Sequence, residues 1–262
     1  MALKFINVDI STYPADIQPF LSDAKLYDSS GGYSGAETIF IEKDNGYFLK
    51  SAPKGTLERE AIMGRYFHGK SLSPNVFAYI SNGRDYMLTE KINGEDCTNE
   101  KYLAQPERLC DIFAERLAML HSLDCADCPV PNHTQKYFSA AEKNFREERY
   151  DKSLFLDNWG YATAEEAWHV IETRGHLLQT NTLLHGDYCL PNIILDDWKF
   201  SGFIDLGNGG VGDRHVDIFW ALWTLNWNLK TAKYRDRFID IYGRAKVDEE
   251  CLKIVAAFEV FG

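Results

Sequence analysis

The period of the apolar residues changes once along this chain, and that change limits the folds open to it. Up to about residue 90 the pattern belongs to strands. Thr38-Ile39-Phe40-Ile41 and Gly46-Tyr47-Phe48-Leu49-Lys50 flank Lys43-Asp44-Asn45-Gly46, and Asn-Gly between apolar runs predicts a hairpin whose two turn residues take positive φ. Val76-Phe77-Ala78-Tyr79-Ile80 and Tyr86-Met87-Leu88-Thr89 predict a second pair across Asn82-Gly83. A helix is expected between the pairs, about Thr56 to His68, with Leu57, Ala61, Ile62 and Phe67 near helical spacing and Gly69 as its stop. Glu90 to Gly94 reads as a linker. Beyond it Leu109, Ile112, Phe113, Leu117 and Leu120 mark the buried face of a helix ending near His121. Another helix is expected over about 164–174, and the tail from Trp220 to Phe261 reads as helical. Trp220, Trp223 and Trp227 fall at i, i+3 and i+7, a stripe that reads as core. The expected class is α+β: a small β-rich N-terminal lobe (1–90), a hinge near residue 90, and a larger helical C-terminal lobe (91–262). A cleft between two such lobes is a common place for a nucleotide.

The 262 residues are enough to bury a sizeable core. A formal net charge of −11 makes binding through nucleic-acid phosphates a poor prospect and suits a cationic ligand, although solubility alone also explains it. No apolar run reaches about 18 residues, so no membrane partner is expected. The first residues alternate and carry charges where a signal peptide has an apolar block, which points to the cytoplasm. The six cysteines then read as reduced thiols. Cys125-Ala126-Asp127-Cys128, with His121 and His133 on either side, has zinc-like spacing. It lacks a second CxxC, and Pro129 and Pro131 make it read as a linker. A monomer or weak dimer is expected.

The densest chemistry lies in His185-Gly186-Asp187-Tyr188-Cys189-Leu190-Pro191-Asn192, followed by Phe203-Ile204-Asp205-Leu206-Gly207. H-x-D-x-x-x-x-N and then D-x-G is the arrangement of the protein-kinase catalytic loop and metal-binding aspartate. Asp187 is expected to orient an acceptor hydroxyl and take its proton. The Asn192 amide and Asp205 carboxylate offer the hard oxygens that Mg2+ prefers. The apolar runs around them predict a hairpin turning at Asp196-Asp197-Trp198-Lys199. Any one of these aspartates is equally a loop or cap residue, and the weight comes from two motifs in the right order. Such chemistry also needs a strand lysine held by a glutamate on the next helix. Lys50 and Glu60 are expected to fill those roles, with Glu58 as the rival carboxylate; alone, Lys50 reads as a solvated strand end. Ser29 to Ala36 is glycine-rich enough for backbone N–H groups to approach phosphate, or to make a plain turn.

At HGDYCLPN, SGFIDLG, the GGVGDRHVD stretch of 209–217, and LERE around Glu60, the chain resembles the aminoglycoside phosphotransferases, particularly the aminoglycoside 3'-phosphotransferase (kanamycin kinase) group. The resemblance covers nearly the whole chain. It implies a bilobal protein-kinase-like fold, ATP and Mg2+ as cofactors, and transfer of the γ-phosphate to a hydroxyl of a cationic aminoglycoside, which confers antibiotic resistance. By the same resemblance Asp187 is the base, Asn192 and Asp205 are the magnesium ligands, and Lys50 and Glu60 hold phosphate. Ser34 matches the nucleotide-loop serine, Phe48 an adenine-stacking aromatic, and Thr89 and Lys91 the hinge backbone that bonds adenine. Asp157 and Asn158, before Trp159, match part of an acidic antibiotic-binding loop, and Glu259 and Phe261 match an acidic C-terminal end. Three residues depart from the pattern. Gly160 and Phe258 stand where carboxylates are common, and Asn208 where an arginine is common. Losing carboxylates that pair with ammonium groups points to an alternative, a kinase of the same fold acting on another small hydroxylated metabolite or antibiotic. A nucleotide-binding protein without turnover conflicts with the retention of Lys50, Asp187, Asn192 and Asp205.

Overall fold

A computed structural model describes residues 4–30, 35–151 and 159–262. The chain forms two compact units, Met1–Glu95 with Ile194–Asn208, and Asp96–Ile193 with Gly209–Gly262.

The first unit is built on an antiparallel sheet in the order β1-β2-β3-β4-β6-β5. The strands are β1 (Lys4–Ile6), β2 (Lys25–Asp28), β3 (Glu37–Glu42), β4 (Tyr47–Pro53), β5 (Val76–Asn82) and β6 (Arg84–Glu90). Alternation turns Leu26, Ile39, Ile41, Leu49 and Leu88 to one side, where they close a core with Ile17 and Leu21. On the other side Ala52, Val76 and Met87 meet Leu57 and Ala61 of the helix Glu58–Gly69 and its entry. The wholly buried Asp85 carboxylate ties that entry to β6: it accepts from the Leu57 N–H at 3.0 Å, the Ser81 hydroxyl at 2.6 Å and the Tyr79 hydroxyl at 3.1 Å.

Both expected hairpins form, with different turn geometry from that expected. In the first, positive φ falls on Asp44 (51°) and Gly46 (91°), not on Asn45. The connection spans four residues, and Gly46 N–H donates back to the Lys43 carbonyl at 2.8 Å, so it is not a two-residue turn. In the second, only Gly83 is left-handed, at 77°. The two-residue geometry appears instead in the hairpin Ile193–Asp196/Lys199–Phe203, where Asp197 and Trp198 have φ of 44° and 69°. This hairpin packs within the first unit. Phe203 N–H donates to the Leu72 carbonyl at 2.7 Å, the Phe203 ring meets Phe67 edge-on, and Arg59 donates to the Asn208 carbonyl at 3.0 Å. At Gly202 a Cβ would lie 2.7 Å from the Ile92 Cδ1 methyl, so a larger residue there would make that side chain shift.

The second unit is helical: Pro106–Leu120, His133–Arg146, Ala164–Arg174, His215–Leu229, Arg235–Tyr242 and Glu249–Glu259, with a strand pair Thr182–Leu184/Gly210–Gly212. Its core gathers Ala167, Ile171, Leu184, Ile254, Val255, Phe258 and Phe261. The helix His133–Arg146 has no counterpart in the sequence reading; its apolar stripe, Tyr137, Phe138, Ala141 and Phe145, is narrow and follows two prolines. The tail is three helices, interrupted where Lys230 (φ 55°) and Gly243 (115°) turn left-handed. The tryptophan stripe is a correction. Along the tryptophan-bearing part of that helix Ile218, Ala221, Thr224 and Leu225 are buried, whereas Trp220 and Trp223 are only half-buried and Trp227 is 56% exposed. Among the described residues no helix is long and apolar enough to cross a membrane.

Candidate active site

The expected chemical residues fall into two groups, one in each unit. In the first unit, β4 buries Leu49 and Ser51 and so turns Lys50 to the opposite face. Its ammonium donates to Glu60 Oε1 at 2.6 Å and to Asp205 Oδ1 at 3.1 Å. Glu60, the third residue of its helix, is buried and is the partner, whereas the rival Glu58 is exposed. Burial works against the charge on Lys50, but Glu60 and then Asp205 outweigh it and raise its pKa above that of an ordinary lysine. Asp205 has φ of 59°. Left-handed backbone at a non-glycine residue is strained and clusters at functional sites.

Phe48, Thr89 and Lys91 are neighbours in the same unit. Phe48 of β4 lies directly across from Thr89 of β6, and its ring sits 5.2 Å from that of Phe40. The Lys91 N–H is taken by the Gly46 carbonyl at 3.0 Å. Ser34, Asp157 and Asn158 lie outside the described residues.

In the second unit, Asn192 donates from Nδ2 to the Asp187 carbonyl at 3.0 Å and to Asp187 Oδ2 at 2.9 Å. That orientation turns Asn192 Oδ1 away from Asp187. The loop carrying both is anchored by a carboxylate that had no assigned role in the sequence reading. Asp217, wholly buried, accepts from His185 N–H at 2.8 Å and Gly186 N–H at 2.7 Å, and pairs with His121 Nε2 at 3.0 Å. Burial raises the Asp217 pKa, but the hydrogen bonds from His121 and the loop outweigh it and hold the carboxyl below its usual range. Three further contacts brace the loop. Tyr188 donates to the Phe113 carbonyl at 2.8 Å, Leu190 N–H donates to the Thr224 hydroxyl at 3.3 Å, and the Tyr242 hydroxyl meets His121 Nδ1 at 2.8 Å.

Glu259 ends the last helix of this unit. Tyr137 donates its hydroxyl to Glu259 Oε1 in a short hydrogen bond, and Trp220 Nε1 donates to the same oxygen at 3.2 Å. Burial, only partly offset by these two bonds and reinforced by the charge of Asp187, pushes the Glu259 carboxyl up to about 7. Phe261 has its side chain in the core, with its ring against Phe145, Tyr150 and Trp168, so that ring is not available to a ligand. Phe258 also packs inward, stacked on Tyr137 at 4.6 Å. Gly160 has φ of 77°, a conformation that disfavours the carboxylate residue common there.

The Asn192 amide oxygen of the second unit and the Asp205 carboxylate of the first are each hard oxygen donors, the kind that magnesium takes. Among the described residues no cluster of three or more His, Cys, Asp or Glu could hold a metal alone. Cys125 and Cys128 turn their sulfurs toward the Asn181 and Val130 carbonyls, at 3.9 Å and 3.7 Å.

Comparison with known proteins places the chain in one family. The profile of the Phosphotransferase enzyme family (APH) matches residues 29–254. A protein of Lactococcus lactis subsp. lactis named "Probable aminoglycoside 3'-phosphotransferase" is 48% identical, over 99% of this chain and 99% of its own. The aminoglycoside 3'-phosphotransferase of Niallia circulans is 29% identical over 98% of this chain and all of its own. Among solved structures, an aminoglycoside-3'-phosphotransferase of type VIII superposes with a TM-score of 0.76 at 21% identity, covering 96% of each chain. An aminoglycoside phosphotransferase of Streptomyces rimosus, in complex with ADP and streptomycin, gives 0.69 at 21% identity, covering 89% of this chain and 94% of its own. The fold is thus α+β and protein-kinase-like, with an antiparallel-sheet N-terminal part and a helical C-terminal part. With a profile match over most of its length and a near-full-length relative at 48% identity, this chain belongs to the phosphotransferase enzyme family.

Proposed function

We propose that this enzyme moves the γ-phosphate of ATP to a hydroxyl of an aminoglycoside antibiotic. The observation that carries the reading is the Lys50 ammonium held between Glu60 at 2.6 Å and Asp205 at 3.1 Å, in a member of a phosphotransferase family. Lys50 holds the α- and β-phosphates, and Glu60 fixes its ammonium. Asn192 and Asp205 would hold magnesium, which would supply neutralisation of charge on the phosphate oxygens. Asp187 orients the acceptor hydroxyl and takes its proton while the new P–O bond forms and the bond to ADP breaks. Residues 1–90 form the nucleotide lobe, with Ser34, Phe48, Thr89 and Lys91 around the nucleotide. Residues 91–262 supply the catalytic loop and the acceptor site, where Glu259, Asp157 and Asn158 meet the ammonium groups. Phe261 serves there by fixing the end of the chain. The enzyme acts in the cytoplasm, where ATP is available, as a monomer or weak dimer.

The names of the Lactococcus and Niallia relatives and the ADP–streptomycin complex of the Streptomyces neighbour support the substrate class. The inward packing of Phe258 favours a second reading, in which another small hydroxylated molecule is the acceptor. Incubation with Mg-ATP and kanamycin, neomycin or streptomycin tests the first. A product heavier by one phosphoryl group is expected with at least one of them. If none is modified and a metabolite stabilises the protein in a thermal-shift screen, the second reading replaces it.

The Glu259 carboxyl gives this reading a pH signature. Its folded pKa, about 7, lies above the 4.5 of an unperturbed glutamate. Its contribution to stability is therefore fully present below about 4.5 and is lost as pH rises through about 7. A cation paired with the carboxylate reverses the loss. The thermal shift produced by a cationic aminoglycoside is expected to grow from pH 6 to pH 7.5, and kcat/KM to rise over the same interval. Glu259→Gln should flatten both. A wild-type shift independent of pH would remove Glu259 from the acceptor site.

A further inference from the structure

The tryptophans of helix His215–Leu229 lie on the flank of its buried face, and their rings are continuous. Trp220 meets Trp223 edge to face with centroids 5.4 Å apart, and Trp223 stacks on Trp227 at 5.5 Å with 6° between the planes. Each end of this strip touches a charge. At the inner end Trp220 Nε1 donates to Glu259 at 3.2 Å, and Thr224 of the same helix holds the Leu190 N–H of the catalytic loop at 3.3 Å. At the outer end the Lys230 ammonium lies 4.4 Å from the centroid of the Trp227 ring. An ammonium over an indole face is attracted by the ring quadrupole, and indole is the strongest aromatic partner for it. Trp227 is 56% exposed, so its ring is accessible to ligands, with the long, flexible Lys230 side chain lying over it.

Resting on the aminoglycoside reading above, we infer that Trp223 and Trp227 form an aromatic cation subsite, which takes an ammonium-bearing ring of a polycationic aminosugar remote from the reacting hydroxyl. The ligand ammonium takes the position of Lys230 over Trp227, while Glu259, at the inner end of the strip, pairs with an ammonium nearer the catalytic loop. The rings are pre-stacked, so binding orders little besides the ligand, and the displaced lysine regains its freedom in water. The overall charge of −11 adds long-range attraction of the same sign.

The test is calorimetric and needs no turnover: dissociation constants of kanamycin and of spermidine, with Mg-AMP-PNP present, for wild type, Trp227→Ala, Lys230→Ala and the double variant. Trp227 is exposed, so its removal should leave the melting temperature nearly unchanged and verify folding. Trp227→Ala is expected to weaken kanamycin roughly three- to tenfold. Lys230→Ala is expected to tighten it in the wild-type background and to have no effect in the Trp227→Ala background. An unchanged constant in Trp227→Ala, or tightening by Lys230→Ala that persists without Trp227, overturns the subsite and leaves the substrate reading untouched. If wild type binds AMP-PNP but no kanamycin, the substrate reading falls. Spermidine then decides the subsite, which stands if Trp227→Ala weakens spermidine and falls if it does not.

Discussion

Replacing Asp187 with asparagine is expected to lower kcat at least a hundredfold, and as much as about ten-thousandfold, with little change in ATP affinity. The substitution removes one function only. An asparagine side-chain oxygen can still accept the hydrogen bond that Asn192 Nδ2 gives at 2.9 Å, so the loop keeps its shape. Asp187 is half-buried and fills no core position, so packing is preserved. What is lost is an anion able to align the acceptor hydroxyl and take its proton, and an amide does neither. Steady-state turnover beside a thermal melt separates the two effects. A variant with wild-type turnover would remove Asp187 from the chemistry, whereas one with a collapsed melting temperature would make it a structural residue.

Asp217→Ala is the second large effect, and it falls on stability as well as rate. The carboxylate is wholly buried and satisfies two loop N–H groups and His121, which in turn meets Tyr242. Removing it leaves these donors buried without a partner, a loss of about 3 kcal/mol or more. In a chain of this size that corresponds to a fall on the order of 6–12 °C in melting temperature. Because the two N–H groups belong to His185 and Gly186, turnover should fall too. The same cluster sets an acid limit. Burial depresses the folded pKa of His121 below 6.5, and Asp217 lies below 3.8, so both contributions are present above about pH 6.5 and are lost as pH falls, His121 first. The variant should show a shallower acid limb in its melting temperature. A melt unchanged from wild type would show that the loop does not depend on this carboxylate.

Features carried by neighbours in the chain were legible in the sequence. The strand pairs followed from alternation at Ile39, Ile41 and Leu49, and the Lys50–Glu60 pair from a strand lysine followed by a helix start, although the strand runs on to Pro53 and Lys50 lies in its middle, not at its expected end. The geometry decided between Glu58 and Glu60, because only the third residue of the helix turns inward toward Lys50. Features that depend on distant segments were hidden. Asp217 matters through His121, His185 and Gly186, Asp85 through Leu57, and Tyr137 through Glu259, and no local pattern marks such partners. Periodicity placed Trp220, Trp223 and Trp227 on one helical face, but it could not say that Ala221 and Leu225 occupy the deeper stripe. The helix break at Lys230 was equally silent, because a left-handed lysine has no sequence signature comparable to glycine.

The catalytic reading requires Lys50 and Asp205 of one unit and Asp187 and Asn192 of the other to serve a single nucleotide. A crystal grown with AMP-PNP and Mn2+, with manganese standing in for magnesium and located by its anomalous signal, tests that directly. The predicted result is a metal bound to both the Asn192 amide oxygen and the Asp205 carboxylate, with the Lys50 ammonium on an α- or β-phosphate oxygen. A nucleotide bound away from Lys50, or a metal that touches neither Asn192 nor Asp205, would contradict it.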